Sequence, residues 1–308
     1  MRPWNRGGRA MSEMPVASGA DSSLPFEERL ERGEVVYFPK SPFPTPADAD
    51  HTFLLQQQLN GPIHKNIGYD PATGKASGFV RGNSDDAERL RDLFAEFSRT
   101  TTEWLTKALP RYHADWQLDR ISYRPEEEAT RRLRHTSRND LLHVDAFPGR
   151  PSQGRRILRV FANVNPSEPR IWVTSSPFAA LLEKYGEAAG LPRGNGADWL
   201  GRVREGVVRL FRPSKVQRSA YDSFMLRFHD YLKRNEDFQE RGPKRLWTFP
   251  PGSAWLAFTD TCSHSVLRGR YALEHSYFVS PHVLALPDES PPALLTRACA
   301  KTKSLRAA

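Results

Sequence analysis

The stretch Leu141-Leu142-His143-Val144-Asp145-Ala146-Phe147 guides the interpretation of the whole chain, because it places a histidine and a carboxylate two residues apart in an apolar run. In a β-strand, side chains two residues apart leave the same face, so His143 and Asp145 point together. With a second histidine from elsewhere, they complete the 2-His-1-carboxylate triad of non-haem Fe(II) oxygenases. The motif therefore predicts a metal site on a strand, with a chance pairing as the alternative.

A second triplet with the same spacing, His113-Ala114-Asp115, shows that the pattern also arises by chance. It follows Pro110 in polar sequence that has no apolar alternation to hold it in a sheet. We therefore expect a polar loop there and no metal site. Support for the first triplet has to come from the rest of the chain.

Length and composition limit the class of protein. The 308 residues, 38% of them hydrophobic, can bury a full core in one large domain or two small ones. No run approaches the roughly 18 apolar residues that span a bilayer, and no signal-peptide hydrophobic region follows the basic start. Two cysteines, Cys262 and Cys299, are too few for a disulfide framework. A cytoplasmic protein is therefore expected.

The charge of the chain indicates an anionic partner. Its formal net charge is +9 and its pI is near 9.7. An acidic membrane surface, a negatively charged substrate and a nucleic acid would each fit this charge. Because the basic residues are spread along the chain and do not alternate with aromatic residues, we expect no nucleic-acid partner.

Short apolar runs separated by turn residues predict an antiparallel β-sandwich or barrel rather than βαβ units. Residues 1–25, rich in Gly, Ser, Ala and Pro, are expected to be disordered. Residues 26–286 are expected to form one mainly β domain with flanking helices, a helical insertion at about 175–246 and a tail at 287–308. The predicted strands are Val35–Phe38, Leu118–Arg124, Leu141–Phe147, Ile157–Val164, Arg170–Thr174, Ala254–Phe258, Asp260–Leu267 and Tyr271–Ser280.

Helical periodicity, with apolar residues three and four apart, marks the remaining elements. The longest such pattern covers residues 85–109 and predicts a scaffold helix that packs on the sheet. Shorter patterns predict helices at 177–189, 197–210 and 220–234, and a short helix in the tail. The segment Asn60–Tyr69 mixes glycine with His, Lys, Asn and Tyr, which is typical of a binding loop, with a polar connector as the alternative.

The second histidine of the triad is expected from the last strands, since a jelly roll brings its first and last strands together at one end. His264 lies on the penultimate strand and is the preferred ligand. His229 lies in helix-period sequence, where we expect it to be packed or solvated, and His275 on the last strand is a weaker option. Asp260 and Cys262 share the alternation of His264 and could face the same cavity, although Cys262 better fits a packing residue because oxidising iron would damage a thiolate.

An oxygenase that uses 2-oxoglutarate also needs a fixed cation for the distant carboxylate of that cosubstrate. Arg159 is the first candidate because it interrupts an apolar run, where an arginine is costly unless an anion neutralises it. The alternation of the strand also allows Arg159 to point outward. Arg124, at the end of the preceding strand, and Arg270, soon after His264, are further candidates.

Several long stretches resemble the Kdo hydroxylase family, which is more specific than a His-x-Asp triplet. The resemblance covers roughly Glu34 to Ser280 and implies a double-stranded β-helix (jelly-roll, cupin-like) fold. It also implies hydroxylation that depends on Fe(II), 2-oxoglutarate and O2. The similar stretches are NGPIHKNI (60–67), RNDLLHVDAFP (138–148), GRRILRVF (154–161), NVNP (163–166), FHDYLK (228–233), HSVL (264–267) and YALE (271–274).

The resemblance implies a role for each matching residue. His143, Asp145 and His264 would bind iron, and Arg124 and Arg159 would bind 2-oxoglutarate. Ser276 stands where the family pattern has a threonine. It keeps the hydroxyl that a cosubstrate contact needs, but the match to the family at this position is not exact. For the sugar acid we expect contacts from three neighbouring residues: His64, Lys65 and Asn66.

The implied reaction is hydroxylation at C3 of 3-deoxy-D-manno-oct-2-ulosonic acid (Kdo) on lipid A, giving Ko in the lipopolysaccharide inner core. The basic composition then fits a glycolipid substrate and peripheral contact with the anionic cytoplasmic leaflet of the inner membrane. One alternative is the same chemistry on another anionic small molecule. Another, from a different class, is a basic β-barrel module that binds nucleic acid in a salt-sensitive manner without chemistry.

Overall fold

Two antiparallel sheets that face each other form the centre of the protein. The computed structural model describes residues 24–61, 65–80, 82, 84–191 and 217–304, the last four by their backbone alone. In these ranges, seven strands form a large sheet in the order β1-β8-β5-β10-β4-β2-β3, and three form a small sheet in the order β7-β6-β9. The strands are β1 (Val36–Phe38), β2 (Ile67–Asp70), β3 (Lys75–Ser77), β4 (Trp116–Arg124), β5 (Arg156–Asn163), β6 (Arg170–Pro177), β7 (Arg245–Phe249), β8 (Ala254–Phe258), β9 (Cys262–Arg268) and β10 (Ala272–Val279).

The helices lie outside the two sheets. One long helix, α3, runs along the large sheet, and a group of helices between β6 and β7 lies near the small sheet. In the described part of the chain the helices are α1 (Phe26–Glu31), α2 (Asp48–Gln56), α3 (Ser84–Ala108), α4 (Pro110–His113), α5 (Phe178–Tyr185), α6 (Ala220–Arg234), α7 (Glu236–Arg241) and α8 (Pro291–Ser304). Among the residues described, none of these helices combines the length and the apolar character that crossing a bilayer requires.

The alternation of β5 explains how one strand serves two cores. Leu158, Val160 and Ala162 pack against α3 in the largest hydrophobic cluster. Phe161 points the other way and packs between the sheets with Trp172 of the small sheet. Because both faces are covered, the whole strand is buried, which accounts for its nearly continuous apolar sequence.

The predicted jelly roll is confirmed, but the segment that carries the His-x-Asp motif is not a regular strand of it. The predicted strand Leu141–Phe147 is not a strand; it contributes only an isolated bridge between His143 and His264. The segment still runs along β9, where Val266 N–H donates to Asn139 O at 2.8 Å. It therefore occupies the fourth position of the small sheet, next to β9, without forming a regular ladder.

A glutamine side chain takes the place of the missing neighbouring strand. Leu142 N–H donates to Gln239 Oε1 at 2.9 Å, and Gln239 Nε2 donates to Leu142 O at 2.8 Å. This pair satisfies a buried backbone donor and acceptor that a strand partner would otherwise satisfy. Nothing in the His-x-Asp motif predicts it, since Gln239 lies almost a hundred residues away.

Other elements differ from the predictions in limited ways. Within the predicted binding loop Asn60–Tyr69, the structure has the start of β2, which forms a hairpin with β3 that periodicity did not indicate. The strand β7 was also missed. His113, expected in a loop, ends the short helix α4 and is exposed. The predicted disorder of residues 1–25 falls almost wholly outside the described residues, as does the predicted helix at 197–210.

Candidate active site

Three of the predicted side chains lie together where the motif segment crosses β9. The ligand atoms of His143, Asp145 and His264 are all within 4.8 Å of one another. Two backbone hydrogen bonds fix the crossing: His143 N–H donates to His264 O at 3.1 Å, and His264 N–H donates to His143 O at 2.9 Å. All three side chains are buried. Among the residues described, no other group of three His, Cys, Asp or Glu side chains could hold a metal ion.

Both imidazoles are held in the tautomer that a metal requires. The Nδ1 atom of His143 lies 2.7 Å from Leu141 O, and that of His264 lies 2.9 Å from Cys262 O. Since a carbonyl only accepts, each Nδ1 carries the proton and each Nε2 presents a lone pair. Burial lowers the pKa of both histidines, so both rings are neutral and able to bind a metal ion.

Arg159 holds the carboxylate of the group. Its Nη1 donates to Asp145 Oδ2 at 2.9 Å, which leaves Oδ1 on the side of the histidines. Burial alone would raise the pKa of Asp145, but the Arg159 guanidinium together with His143 and His264 outweighs it and keeps the pKa well below its usual range. The donor set of two neutral imidazoles and one ionised carboxylate suits Fe(II).

The group opens into a cavity of about 350 Å³ between the sheets and α6. Arg124, Arg159 and Arg170 reach it from strands β4, β5 and β6. The Glu274 carboxylate lies between two of them, accepting from Arg124 Nε at 2.6 Å and from Arg159 Nη2. Burial alone would raise the pKa of Glu274 and lower that of Arg124. Their mutual attraction, with that of Arg159 for Glu274 and of Glu128 for Arg124, reverses both shifts. The cavity therefore contains a buried network of arginines and carboxylates.

Arg170 is the member of this network that sequence reasoning missed. It is 3% exposed, its Nη1 donates to Gly269 O at 2.8 Å, and its Nη2 lies 3.8 Å from Glu128. Its Nε has no hydrogen-bond partner among the residues described. Gly269 has φ +117°, and a Cβ there would lie 2.9 Å from the Arg170 Cα, so the turn after β9 needs a glycine. The alternation that turns Trp172 inward could have indicated Arg170 as well.

Helix α6 forms the opposite wall of the cavity. Leu226, His229, Asp230 and Lys233, spaced as one face of a helix, line it. His229 was expected to be packed or solvated on its helix; instead its ring centroid lies 4.8 Å from that of His143. Its Nδ1 lies 2.8 Å from Val144 O and donates to it, and burial lowers its pKa to about 4. His229 thus faces the cavity as a neutral ring, outside the three-residue group.

The structure excludes several weaker candidates from the cavity. His275 lies on the other face of β10, where its Nδ1 is 2.6 Å from the Tyr277 hydroxyl. Arg270 is exposed and stacks over Tyr271. Asp260 pairs with Arg156 at 2.8 Å instead of facing the histidines. Cys262 packs in the hydrophobic cluster between the sheets, as a packing residue should.

The remaining predicted contacts divide between the cavity and its surroundings. Lys65 and Asn66 line the cavity, and Asn66 Nδ2 donates to the Ser122 hydroxyl. Ser276 is opposite Arg159 in the β5–β10 register but is not part of the lining. His64 lies outside the described residues.

Comparison with known proteins identifies the family. The family model for 3-deoxy-D-manno-oct-2-ulosonic acid (Kdo) hydroxylase matches residues 17–302. The chain belongs to the Kdo hydroxylase family. No curated protein matches this Kdo hydroxylase in a sequence search.

Solved structures of the Kdo hydroxylase KdoO are similar along nearly the whole chain. The apo form has 32% sequence identity and a TM-score of 0.75, with 90% of this chain and 89% of that chain covered. The cobalt(II) complex has 33% identity and a TM-score of 0.76, with 89% of each chain covered. The complex with α-ketoglutarate (2-oxoglutarate) and Fe(III) has 32% identity and a TM-score of 0.75, covering 89% of this chain and 88% of that chain.

These comparisons confirm the predicted family and the predicted enzyme class. KdoO is described as a non-haem Fe(II) α-ketoglutarate-dependent dioxygenase. This chain is accordingly a Kdo hydroxylase of that class, with iron, 2-oxoglutarate and O2 as its expected cofactor and cosubstrates and a Kdo-containing substrate. Which of its residues take which role, and which glycolipid it modifies, are proposals that follow.

Proposed function

We propose that this protein hydroxylates C3 of the Kdo sugar of Kdo-lipid A, giving Ko in lipopolysaccharide inner-core biosynthesis. The observation that carries the proposal is the convergence of His143, Asp145 and His264 in a cationic cavity of a Kdo hydroxylase fold. A cavity of about 350 Å³ that is already lined by six cationic side chains suits two anionic reactants better than a neutral one.

His143, Asp145 and His264 would hold the iron. Three donor atoms are available for it, because hydrogen bonds already occupy the Nδ1 atoms of both rings and one carboxylate oxygen. These outer hydrogen bonds orient the ligands and keep the site assembled. When bound, Fe(II) with 2-oxoglutarate and O2 supplies the oxidising power to hydroxylate an unactivated C–H bond.

Arg124 and Arg159 would bind the carboxylate of 2-oxoglutarate, and Ser276 would support them. In the structure both guanidiniums contact Glu274, and Arg159 also contacts Asp145. Arg159 thus links the proposed cosubstrate site to the proposed metal site. Arg170, whose Nε is free of partners in the described ranges, adds a third cation to the same end of the cavity.

The protein's further contribution is an aromatic wall beside the proposed metal site. Trp172 stacks on the His264 ring with centroids 5.1 Å apart, and Phe161 packs edge-on against Trp172 at 4.7 Å. These aromatic side chains close the space between the sheets, which excludes water from the metal side of the cavity. Of the three proposed ligands, His264 lies on strand β9, and the bridge between His143 and His264 ties the irregular segment to that strand.

The proposed partner is the glycolipid at an anionic membrane surface. The net charge of +9 favours contact with the cytoplasmic leaflet of the inner membrane, where anionic lipids attract Lys and Arg. Lys65 and Asn66 in the cavity, with His64 beside them in sequence, are proposed to contact the sugar acid.

The test is to incubate the purified protein with Kdo-lipid A, Fe(II), 2-oxoglutarate and O2 and to follow the glycolipid by mass spectrometry. We expect a gain of one oxygen atom per succinate formed, and fragmentation should place that atom on C3 of Kdo. Succinate formation that other anionic sugars stimulate but Kdo-lipid A does not would instead favour the same chemistry on a different anionic substrate.

A further inference from the structure

We infer that Lys233 of helix α6 and Lys65 of the loop before β2 together bind the carboxylate of the substrate sugar acid. This inference rests on the proposed function and extends it, because it assigns the acceptor and the cosubstrate to different cations of one cavity. Lys233 is not among the sugar contacts expected from the sequence.

Both lysines are held in place at the cavity wall. Lys233 is 2% exposed, and its Nζ donates to Thr136 O at 3.0 Å. The backbone of the same residue is tied to the same turn, since His135 Nε2 lies 3.0 Å from Lys233 O. Arg131 fixes the loop of Lys65 by donating from Nη1 to Lys65 O at 2.7 Å. Two ammonium groups are thus directed at one cavity by elements that are themselves anchored.

Neither ammonium group forms an ion pair in the described part of the chain, and the carboxylates that attract them, such as Asp145, act only at longer range. Among the residues described, no carboxylate oxygen lies within 4 Å of the Lys65 or Lys233 ammonium group, whereas Arg124 and Arg159 each contact two carboxylates. Burial and repulsion by Lys65 lower the pKa of Lys233 to about 7, and burial and repulsion by Arg124 lower the pKa of Lys65 to about 8. A bound anion would relieve both effects, because it would replace the lost solvation and screen the repulsion.

The balance of charge leaves room for one further anion. Six cationic side chains line the cavity against three carboxylates, and two carboxylates just outside the lining also pair with its arginines. One positive charge is therefore left over. Fe(II) and the 2-oxoglutarate dianion together add no net charge, so the single carboxylate of a Kdo unit matches the surplus. The cations are Lys65, Arg124, Arg150, Arg159, Arg170 and Lys233; the lining carboxylates are Asp145, Asp230 and Glu274, and the two outside are Asp119 and Glu128.

The position of the lysines favours the acceptor over the cosubstrate. The three inward arginines lie on strands inside the barrel, whereas Lys65 and Lys233 come from a loop and a helix outside the two sheets. A glycolipid cannot enter the barrel as deeply as a small dicarboxylate, so its sugar has to be recognised at these outer elements. The family name itself specifies an ulosonic acid, which carries the required carboxylate.

The test uses Lys65→Met and Lys233→Met, which keep the apolar stem and remove the charge, with Lys107→Met on the exposed face of α3 as the matched control. Losing one charge-assisted hydrogen bond should raise KM for Kdo-lipid A about 10- to 100-fold in each cavity variant. KM for 2-oxoglutarate should stay within about 2-fold, and the control should match the wild type. An increase in KM for 2-oxoglutarate with that for Kdo-lipid A unchanged would overturn the assignment.

A modified substrate identifies the group that the lysines contact. Kdo-lipid A whose Kdo carboxyl is converted to a carboxamide should bind the wild type and Lys233→Met equally weakly, since the partner of the lysine is gone. Lipid A without Kdo carries phosphates only and should inhibit the wild type and the variant to the same extent. Stronger inhibition of the wild type by this lipid would mean that the lysines bind a phosphate, and would refute the proposal.

A binding measurement separates this inference from the proposed reaction. Kdo-lipid A is titrated anaerobically into the iron- and 2-oxoglutarate-loaded protein, where no turnover occurs. Wild-type binding that weakens in Lys233→Met and is restored in Lys233→Arg supports the carboxylate site even if no oxygen is later incorporated. Oxygen incorporation at C3 with equal binding by the wild type and both methionine variants would support the reaction and reject the carboxylate site.

Discussion

Glu274 is the side chain whose replacement most directly tests the buried charge network. It is 2% exposed and accepts hydrogen bonds from Arg124 and Arg159. Glu274→Gln keeps the shape of the side chain but removes its charge and turns one acceptor into a donor. We expect lower stability, because two buried guanidiniums lose their shared partner.

The magnitude follows from what the two arginines retain. Breaking a buried ion pair by removing one partner costs about 3–5 kcal/mol. Here Arg159 keeps Asp145 at 2.9 Å and Arg124 keeps Glu128 at 3.5 Å, so we expect the lower end of that range. For a chain of 308 residues, about 3 kcal/mol corresponds to a fall in Tm of about 5 °C.

The assay is differential scanning calorimetry of the metal-free protein near neutral pH. The matched control is Glu289→Gln, which removes the same charge from an exposed pair with Arg32 at 3.7 Å and should cost less than about 1 kcal/mol. If both variants melted within about 1 °C of the wild type, the buried network would contribute no stability and our reasoning would be wrong.

Acid provides an internal check on the same variant. The arginines lower the folded-state pKa of Glu274 below its ordinary value of 4.5, against the effect of burial. The stability that its charge contributes is therefore complete above pH 4.5 and is lost as the pH falls through the folded-state pKa. The difference in Tm between wild type and Glu274→Gln should shrink in acid; a difference that stays constant would point to packing instead of charge.

Three further predictions concern the metal, the substrate and the fold. His143→Ala should lose bound Co(II) on dialysis and stop substrate-dependent succinate formation, while His113→Ala, at the other His-x-Asp triplet, should retain both. As the pH rises through about 7, Lys233 loses its proton, so KM for Kdo-lipid A should increase; a KM that is flat from about pH 6 to pH 9 would count against this. Around Lys233 the contributing charges are Lys65, Asp140, Asp145 and Asp230. Gln239→Leu leaves the Leu142 amide and carbonyl unpaired, which should lower the free energy of unfolding by about 2 kcal/mol. It should also weaken Co(II) binding in a titration. Unchanged stability together with unchanged Co(II) affinity would show that the glutamine does not hold the motif segment in place.

Local pattern in the sequence was enough to predict an antiparallel β-sandwich or barrel and its main elements, and the family resemblance narrowed this to the jelly roll. Strand β8 and helix α6 have the predicted bounds, because period-2 and period-3.6 patterns are properties of short segments. Local pattern failed for the His143 segment, whose alternation resembles a strand. There the ladder is replaced by one bridge to His264 and by the side chain of Gln239.

The sequence by itself predicted which chemistry this chain can carry, since the His-x-Asp motif, an arginine in an apolar run and the family resemblance point to imidazoles, a carboxylate and arginines. Only the tertiary structure decided how these groups are arranged. The pairing of Arg159 with both Asp145 and Glu274, the hydrogen bond from Arg170 to Gly269 O and the mutual repulsion of Lys233 and Lys65 join residues from separate elements. Such contacts arise from packing between distant segments, and the energies that select them depend on burial, which no local pattern records.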